Sequence, residues 1–295
     1  MRKSLRILAL VMTILSVVCL FSCNEPEYEY KVDEQYTPKW NLVDEKSETV
    51  ADGVEYTIYK YEDKDKKPYV VHVLEVDPKK NAFYMGTSKD GHEFIPTEEQ
   101  DVVQHMEEAA NNGKDVVAGI NADFFYIDTD YHPRGLAIKE GLVISRGEDG
   151  RPYMAFKDNG EVEIGKDGTK ADVNKFRTAL GASHILVYEG IPQSFNMKNS
   201  SLARTNHPRT IAGVKKDGTV IMAVIDGRQE DVSNGASLEK CAQVMMDLGA
   251  EYAVNFDGGG STTLVIERDG KCETANTLSG SSLRKVYNSL VVIKE

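Results

Sequence analysis

Three aspartates each close a short apolar run. Asp123 follows Asp115–Ile120, Asp226 follows Val220–Ile225, and Asp257 follows the run that begins at Tyr252. Short apolar runs bounded by glycine read as buried strands, so all three carboxylates are expected at strand ends. Gathered at one sheet edge, such acids can activate water, act as a nucleophile or steady a developing positive charge. They can equally ligate a hard divalent cation. Asn121 and Asn255 each stand two residues before an aspartate, and in a strand that spacing puts both side chains on one face. Asp257 opens directly into Gly258-Gly259-Gly260-Ser261-Thr262. Glycines there let the backbone approach a ligand, and their N–H groups can point at an anion. Arg134, Arg209, Arg228 and Arg284 lie near these positions, and a guanidinium can grip phosphate through two parallel hydrogen bonds. The residue types therefore ask for a sugar, a phosphate or both. Each feature alone has a plainer reading, because Asp-Gly is a common turn pair and a single arginine is usually a surface residue.

The elements that must hold these residues are mostly strands. Val54–Tyr61 alternates apolar and polar positions and pairs with Tyr69–Val76 across the charged turn Lys64–Pro68; Asn81–Gly86 is expected to continue that sheet. Thr97-Glu98-Glu99-Gln100 fits a capping box with Thr97 as N-cap. The helix it opens carries Val102, Val103, Met106 and Ala109 on one face and ends at Gly113. Hairpins follow over Arg134–Arg146 and Tyr153–Ile164, and Thr178–Tyr188 holds a further apolar run. Gly190–His207 is polar and reads as a long surface loop. Ser237 caps a second helix with Leu238, Cys241, Met245 and Leu248 inward, and Val286–Ile293 closes the chain as a strand. With hairpin order and no βαβ alternation, the class is α+β: mixed, largely antiparallel sheets with a few packed helices in a single domain.

Of the 295 residues 41% are hydrophobic, enough to bury a full core. The formal net charge of −12 argues against a nucleic-acid partner. At the start, Arg2, Lys3 and Arg6 precede the apolar run Ile7–Phe21, which fits a secretory signal and is short for a membrane span. The run ends Leu20-Phe21-Ser22-Cys23, which resembles a bacterial lipobox and implies lipidation at Cys23. The acidic stretch behind it resembles an outward export tag. The expected organisation is thus residues 1–22 as leader, 23–50 as acidic tether and loosely structured lead-in, and 51–295 as the domain, lipid-anchored in a bacterial cell envelope. Beyond Cys19 and Cys23 only Cys241 and Cys272 remain, with no cysteine–histidine cluster to suggest zinc. They could pair in an oxidising compartment, though a cysteine on an apolar helix face is more commonly a buried free thiol.

Five segments occur in a telling order: His207-Pro208-Arg209-Thr210, Asp226-Gly227-Arg228, the helix capped by Ser237, Asn255–Thr262, and Arg284-x-Val286-x-Asn288. Together they closely resemble the phosphodiester glycosidase family, and the resemblance covers about residues 50–295. Gly119–Phe125 and the Gly135–Ser145 hairpin share it, although Asn121-Ala122-Asp123 and Arg134-Gly135 depart from the commoner family wording. The resemblance implies hydrolysis of a sugar-1-phosphodiester or phosphoglycan at the C1–O bond, with Asp226 and Asp257 as working carboxylates and Asp123 third. Arg209 is then the first choice for phosphate. Asn121, Asn255, Arg228, Arg284 and the Gly258–Thr262 segment line the pocket. No cofactor is required, and a divalent cation is possible. Two rivals stay open: a metal-dependent phosphodiesterase cutting P–O through the three aspartates, and a non-catalytic glycan-binding lipoprotein using Phe124, Phe125, Tyr126 or Tyr131 as platforms.

Overall fold

The computed structural model describes residues 37–89, 98–126, 132–193, 195 and 200–295. The leader, Cys23, most of the tether, Thr97 and Tyr131 lie outside the described residues.

Period-two alternation sorts strand side chains onto two faces. Val71, Val73, Ile221, Ala223 and Ile225 point to one core, whereas Leu74, Val76, Met222 and Val224 point to another. These strands belong to an eight-stranded sheet ordered Asn41–Ala51, Val54–Glu62, Pro68–Val76, Val220–Ile225, Arg209–Lys215, Ala250–Asn255, His184–Tyr188, Ile191–Pro192. The helix Leu238–Asp247, capped by Ser237 as expected, covers one face with Leu238, Cys241, Ala242 and Met245. The other face packs on a five-stranded sheet ordered Lys271–Thr274, Leu264–Arg268, Val116–Asn121, Ser289–Lys294, Asn81–Gly86. The helix Val102–Asn111 closes the far side of that sheet through Val102, Met106 and Ala109. The layers therefore run helix, sheet, sheet, helix. A third sheet of five short strands, Leu142–Ser145, Ala137–Lys139, Thr178–Gly181, Tyr153–Phe156 and Val162–Gly165, feeds Met154, Phe156 and Leu180 into the central core. Every pairing in the three sheets is antiparallel. Because a one-residue slip would turn the Val71 and Leu74 faces inside out, burial on both faces fixes the register.

The expected α+β class with largely antiparallel sheets is the observed one, and several elements differ in detail. Part of the supposed loose lead-in is the edge strand Asn41–Ala51, and Trp40 stacks on Tyr69 at 4.3 Å. Its exposed polar side chains hid the strand, which is held by backbone pairing and by cross-strand polar contacts such as Ser47–Thr57 and Asp44–Lys60. Asn81–Gly86 joins the second sheet, pairing with Ser289–Lys294 rather than extending the first hairpin. Asp101, not Thr97, caps the first helix in a capping box with Gln104. The run Thr178–Tyr188 is two strands in two sheets, broken at Ala182-Ser183. Within the long polar loop, Ser201–Arg204 forms a single helical turn. Cys241 and Cys272 are both free.

Candidate active site

The chain leaving Ala250–Asn255 crosses from the first sheet to the second. Phe256 N–H donates to the Thr210 carbonyl at 2.9 Å and Asp257 N–H to the Ala122 carbonyl at 2.8 Å. Asn121 ties the crossing together: its Nδ2 donates to the Asp257 carbonyl at 2.7 Å, while its Oδ1 accepts from the Thr210 hydroxyl at 2.7 Å and Thr263 N–H at 3.1 Å. Fully buried, with both polar atoms of its amide bonded within the protein, Asn121 positions Asp257 and does not line the pocket as expected. Asn255 is buried too. It donates to the Ser183 hydroxyl and the Phe256 carbonyl, leaving its Oδ1 without a partner. Asp257 is half-buried, and its carboxylate accepts Gly258 N–H at 2.9 Å. Burial pushes its pKa up; the nearby Ser261 hydroxyl, Gly258 N–H, Arg284 and Arg151 pull it part of the way back. Ser261 lies close enough to favour the ionised form without making a well-formed hydrogen bond, so its buried Oγ is unpaired.

Each of the three glycines answers to a different neighbour. A Cβ on Gly258 would stand 2.6 Å from the Pro208 carbonyl oxygen. Gly259 has φ +63°, and a Cβ there would meet the Arg228 guanidinium at 3.0 Å; one on Gly260 would meet the Arg284 guanidinium at 3.0 Å. Two exposed guanidinium groups therefore rest on consecutive residues of the turn that follows Asp257. Arg228 itself has a left-handed φ of 62° and contacts His207 Nδ1 at 3.3 Å. The amides of the turn are not the open anion nest expected from sequence. Gly258 N–H serves Asp257, Gly259 N–H the Pro208 carbonyl, and the N–H groups of Ser261 and Thr262 the carbonyls of Gly258 and Gly259.

Asp123 follows Ala122, whose carbonyl accepts Asp257 N–H, and is only 1% exposed. Its Oδ2 accepts Gly135 N–H at 2.6 Å, and Arg151 Nη2 donates to Oδ1 at 3.3 Å. Gly135 and Gly181 must lack side chains here, since a Cβ on either would fall within 2.9 Å of that carboxylate. Burial raises the Asp123 pKa to about 7 against the pull of Arg151. Arg151 was invisible in the sequence, where it follows Asp149-Gly150 like any turn arginine. It packs over the Phe124 ring, keeps a buried Nε without a partner, and its charge reaches Asp257 as well. Tyr287, also missed, places a buried unpaired hydroxyl close enough to feel the Asp123 charge. At the rim, Arg134 forms a two-point ion pair with Glu148, holding that carboxyl down at about 2, and Tyr126 donates to the same Glu148.

Two expectations fail on burial. Asp226 is 0% exposed and its carboxylate is occupied: His72 Nε2 at 3.2 Å, Asn276 Nδ2 at 3.1 Å and Thr277 N–H at 3.1 Å. It presents no free oxygen to a substrate. Arg209 is 2% exposed and donates to the carbonyls of Ala236, Leu202 and Thr205, so it braces the chain before the Ser237-capped helix instead of gripping phosphate. Among the described residues no group of three His, Cys, Asp or Glu is arranged to hold a metal ion. What the structure does bring together is Asp257, Asp123, Arg151, Ser261 and the Arg228–Arg284 pair.

A model of the phosphodiester glycosidase family matches residues 114–293. An SPbeta prophage-derived uncharacterized protein of Bacillus subtilis strain 168, YomE, is 27% identical over 166 residues, 54% of this chain and 25% of that protein; the chain thus spans a quarter of its length. Among solved structures, the fold is similar to a hypothetical protein from Synechocystis, with TM-score 0.67 and 15% identity over 86% of this chain and 64% of the other. It is similar to the catalytic domain of zebrafish N-acetylglucosamine-1-phosphodiester alpha-N-acetylglucosaminidase, auto-inhibited by its pro-peptide, with TM-score 0.61 and 19% identity over 85% and 88%. A putative exported protein from Burkholderia pseudomallei K96243 gives TM-score 0.61 and 14% identity over 87% and 97%. At these identities the structural likenesses speak to the fold alone.

Proposed function

The chain belongs to the phosphodiester glycosidase family, and from that premise we propose that it hydrolyses the C1–O bond between a sugar and a phosphodiester group, with Asp257 as the working carboxylate. One observation carries the reading: Asp257 alone of the three strand-end aspartates is partly exposed, and it opens into the turn on which Arg228 and Arg284 rest. Paired guanidinium groups suit a phosphodiester anion. Cleavage on the sugar side passes through an oxocarbenium-like state, which a carboxylate beneath the ring stabilises by charge, by attack at C1 or by activating water. The departing phosphodiester carries its negative charge well, so it needs little protonation. Asp123, with a proton retained up to about pH 7, is the reserve acid beside Asp257, and Arg151 balances the two carboxyls.

Hydrolysis of a sugar-1-phosphodiester in isotopically labelled water tests the bond assignment. Label in the released sugar is the expected result. Label in the phosphate would mean P–O cleavage and would overturn the reading in favour of a phosphodiesterase. Binding of glycans by calorimetry with no turnover of any such diester would leave only a lectin-like role. The lipobox-like Leu20–Cys23 further supports a lipid-anchored protein of the bacterial cell envelope, with the domain presented to envelope glycans.

A further inference from the structure

The carboxylate excluded from the cleft stands at one end of a buried polar chain. The Tyr56 hydroxyl lies 2.6 Å from His72 Nδ1, and His72 Nε2 lies 3.2 Å from Asp226 Oδ2. Tyr56 and His72 come from adjacent strands of the large sheet, and Asp226 follows the strand next to them. All three are buried. On its other sides the Asp226 carboxylate accepts from Asn276 Nδ2 and Thr277 N–H. A single buried imidazole thus bridges the Tyr56 hydroxyl and the Asp226 carboxylate through its two ring nitrogens.

Beyond Asp226 the chain divides toward both arginines. Asp226 begins the turn that carries Arg228. Through Asn276 and Thr277 it also fastens the start of the segment that leads to Arg284. Gln229 reaches the Leu278 carbonyl and Ser279 the Gly259 carbonyl, so the two loops and the glycine turn are laced together above this point. We infer that Tyr56, His72 and Asp226 form a positioning strut that sets the spacing of Arg228 and Arg284, and that none of the three touches the substrate. Its consequence for anion binding rests on the reading that those arginines hold the substrate's phosphate group.

The test uses the full chain with Tyr56→Phe, His72→Leu and His72→Gln. Amide exchange at Thr277 and Leu278 reads the strut without any ligand, and calorimetry with inorganic phosphate reads the arginines. Tyr56→Phe and His72→Leu should quicken exchange at Thr277 about tenfold, the size of one lost hydrogen bond. They should also weaken phosphate binding by a similar factor while leaving kcat within about threefold. His72→Gln, whose amide can still donate toward Asp226, should recover part of both. The loss should shrink when Arg284→Ala is already present, because the strut acts through that residue. Unchanged Thr277 exchange in folded Tyr56→Phe would overturn the inference. So would a collapse of kcat with phosphate affinity intact, which would make the chain catalytic. If wild-type protein binds no phosphate, the arginine reading falls, and the exchange result alone decides the strut.

Discussion

Asp123 and Asp257 share the pattern Asn-x-Asp at a strand end, yet one is 1% exposed and the other half-buried. That difference fixes their chemistry. The folded protein holds the Asp123 proton up to about pH 7, whereas the unfolded chain releases it near pH ~4. Between those values ionisation is disfavoured by folding, so this group lowers stability as pH rises and costs its full amount above pH 7. Asp123→Asn should therefore gain Tm relative to wild type as pH is raised from 5 to 8, measured by thermal melts across that range, even as hydrolysis suffers. The arginines divide in the same way. Arg209→Met orphans three carbonyl contacts and should cost about 3 kcal/mol in urea unfolding, while Arg284→Ala should leave the midpoint unchanged and raise KM about tenfold to a hundredfold. Sequence made the aspartates and the glycine run legible because type and local spacing carry them. It could not rank Arg209 against Arg228 and Arg284, since only tertiary burial tells a brace from a clamp. Nor could it find Arg151, whose partner Asp123 is 28 positions away.

At the scale of elements, the turn Gly258–Gly260 is where fold and site meet. Alanine at Gly258 would press against the Pro208 carbonyl at 2.6 Å, backbone against side chain with nothing to yield. Alanine at Gly260 would press only on the flexible Arg284 side chain at 3.0 Å. Gly258→Ala should lower Tm and expression; Gly260→Ala should keep Tm and raise KM, checked by melts and steady-state kinetics on the same preparations. The hairpins, the capped helix Leu238–Asp247 and the strand alternation were readable because each is a local pattern. The edge strand Asn41–Ala51 was not, because its side chains are polar and exposed along most of its length and its partner supplies the order. The placement of Asn81–Gly86 in the second sheet likewise depends on a pairing with the last strand, which no local signal encodes.

Across the whole molecule, two sheets packed face to face bring strand ends from both layers to one edge, and Asp257 lies on the backbone that crosses between them. The order of segments in the chain identified the family without revealing this crossing. At the other end of the chain, Cys23→Ser should shift the protein from the membrane to the soluble fraction on cell fractionation; an unchanged distribution would mean that Cys23 carries no lipid anchor. Whether Asp257 is the working carboxylate is decided by turnover of a sugar-1-phosphodiester by Asp257→Asn against wild type. Asparagine keeps the shape and can still accept Gly258 N–H, so the variant should melt close to the wild-type temperature while losing nearly all hydrolysis, by about a thousandfold or more. Wild-type-like turnover in that folded variant would contradict the assignment of the active site.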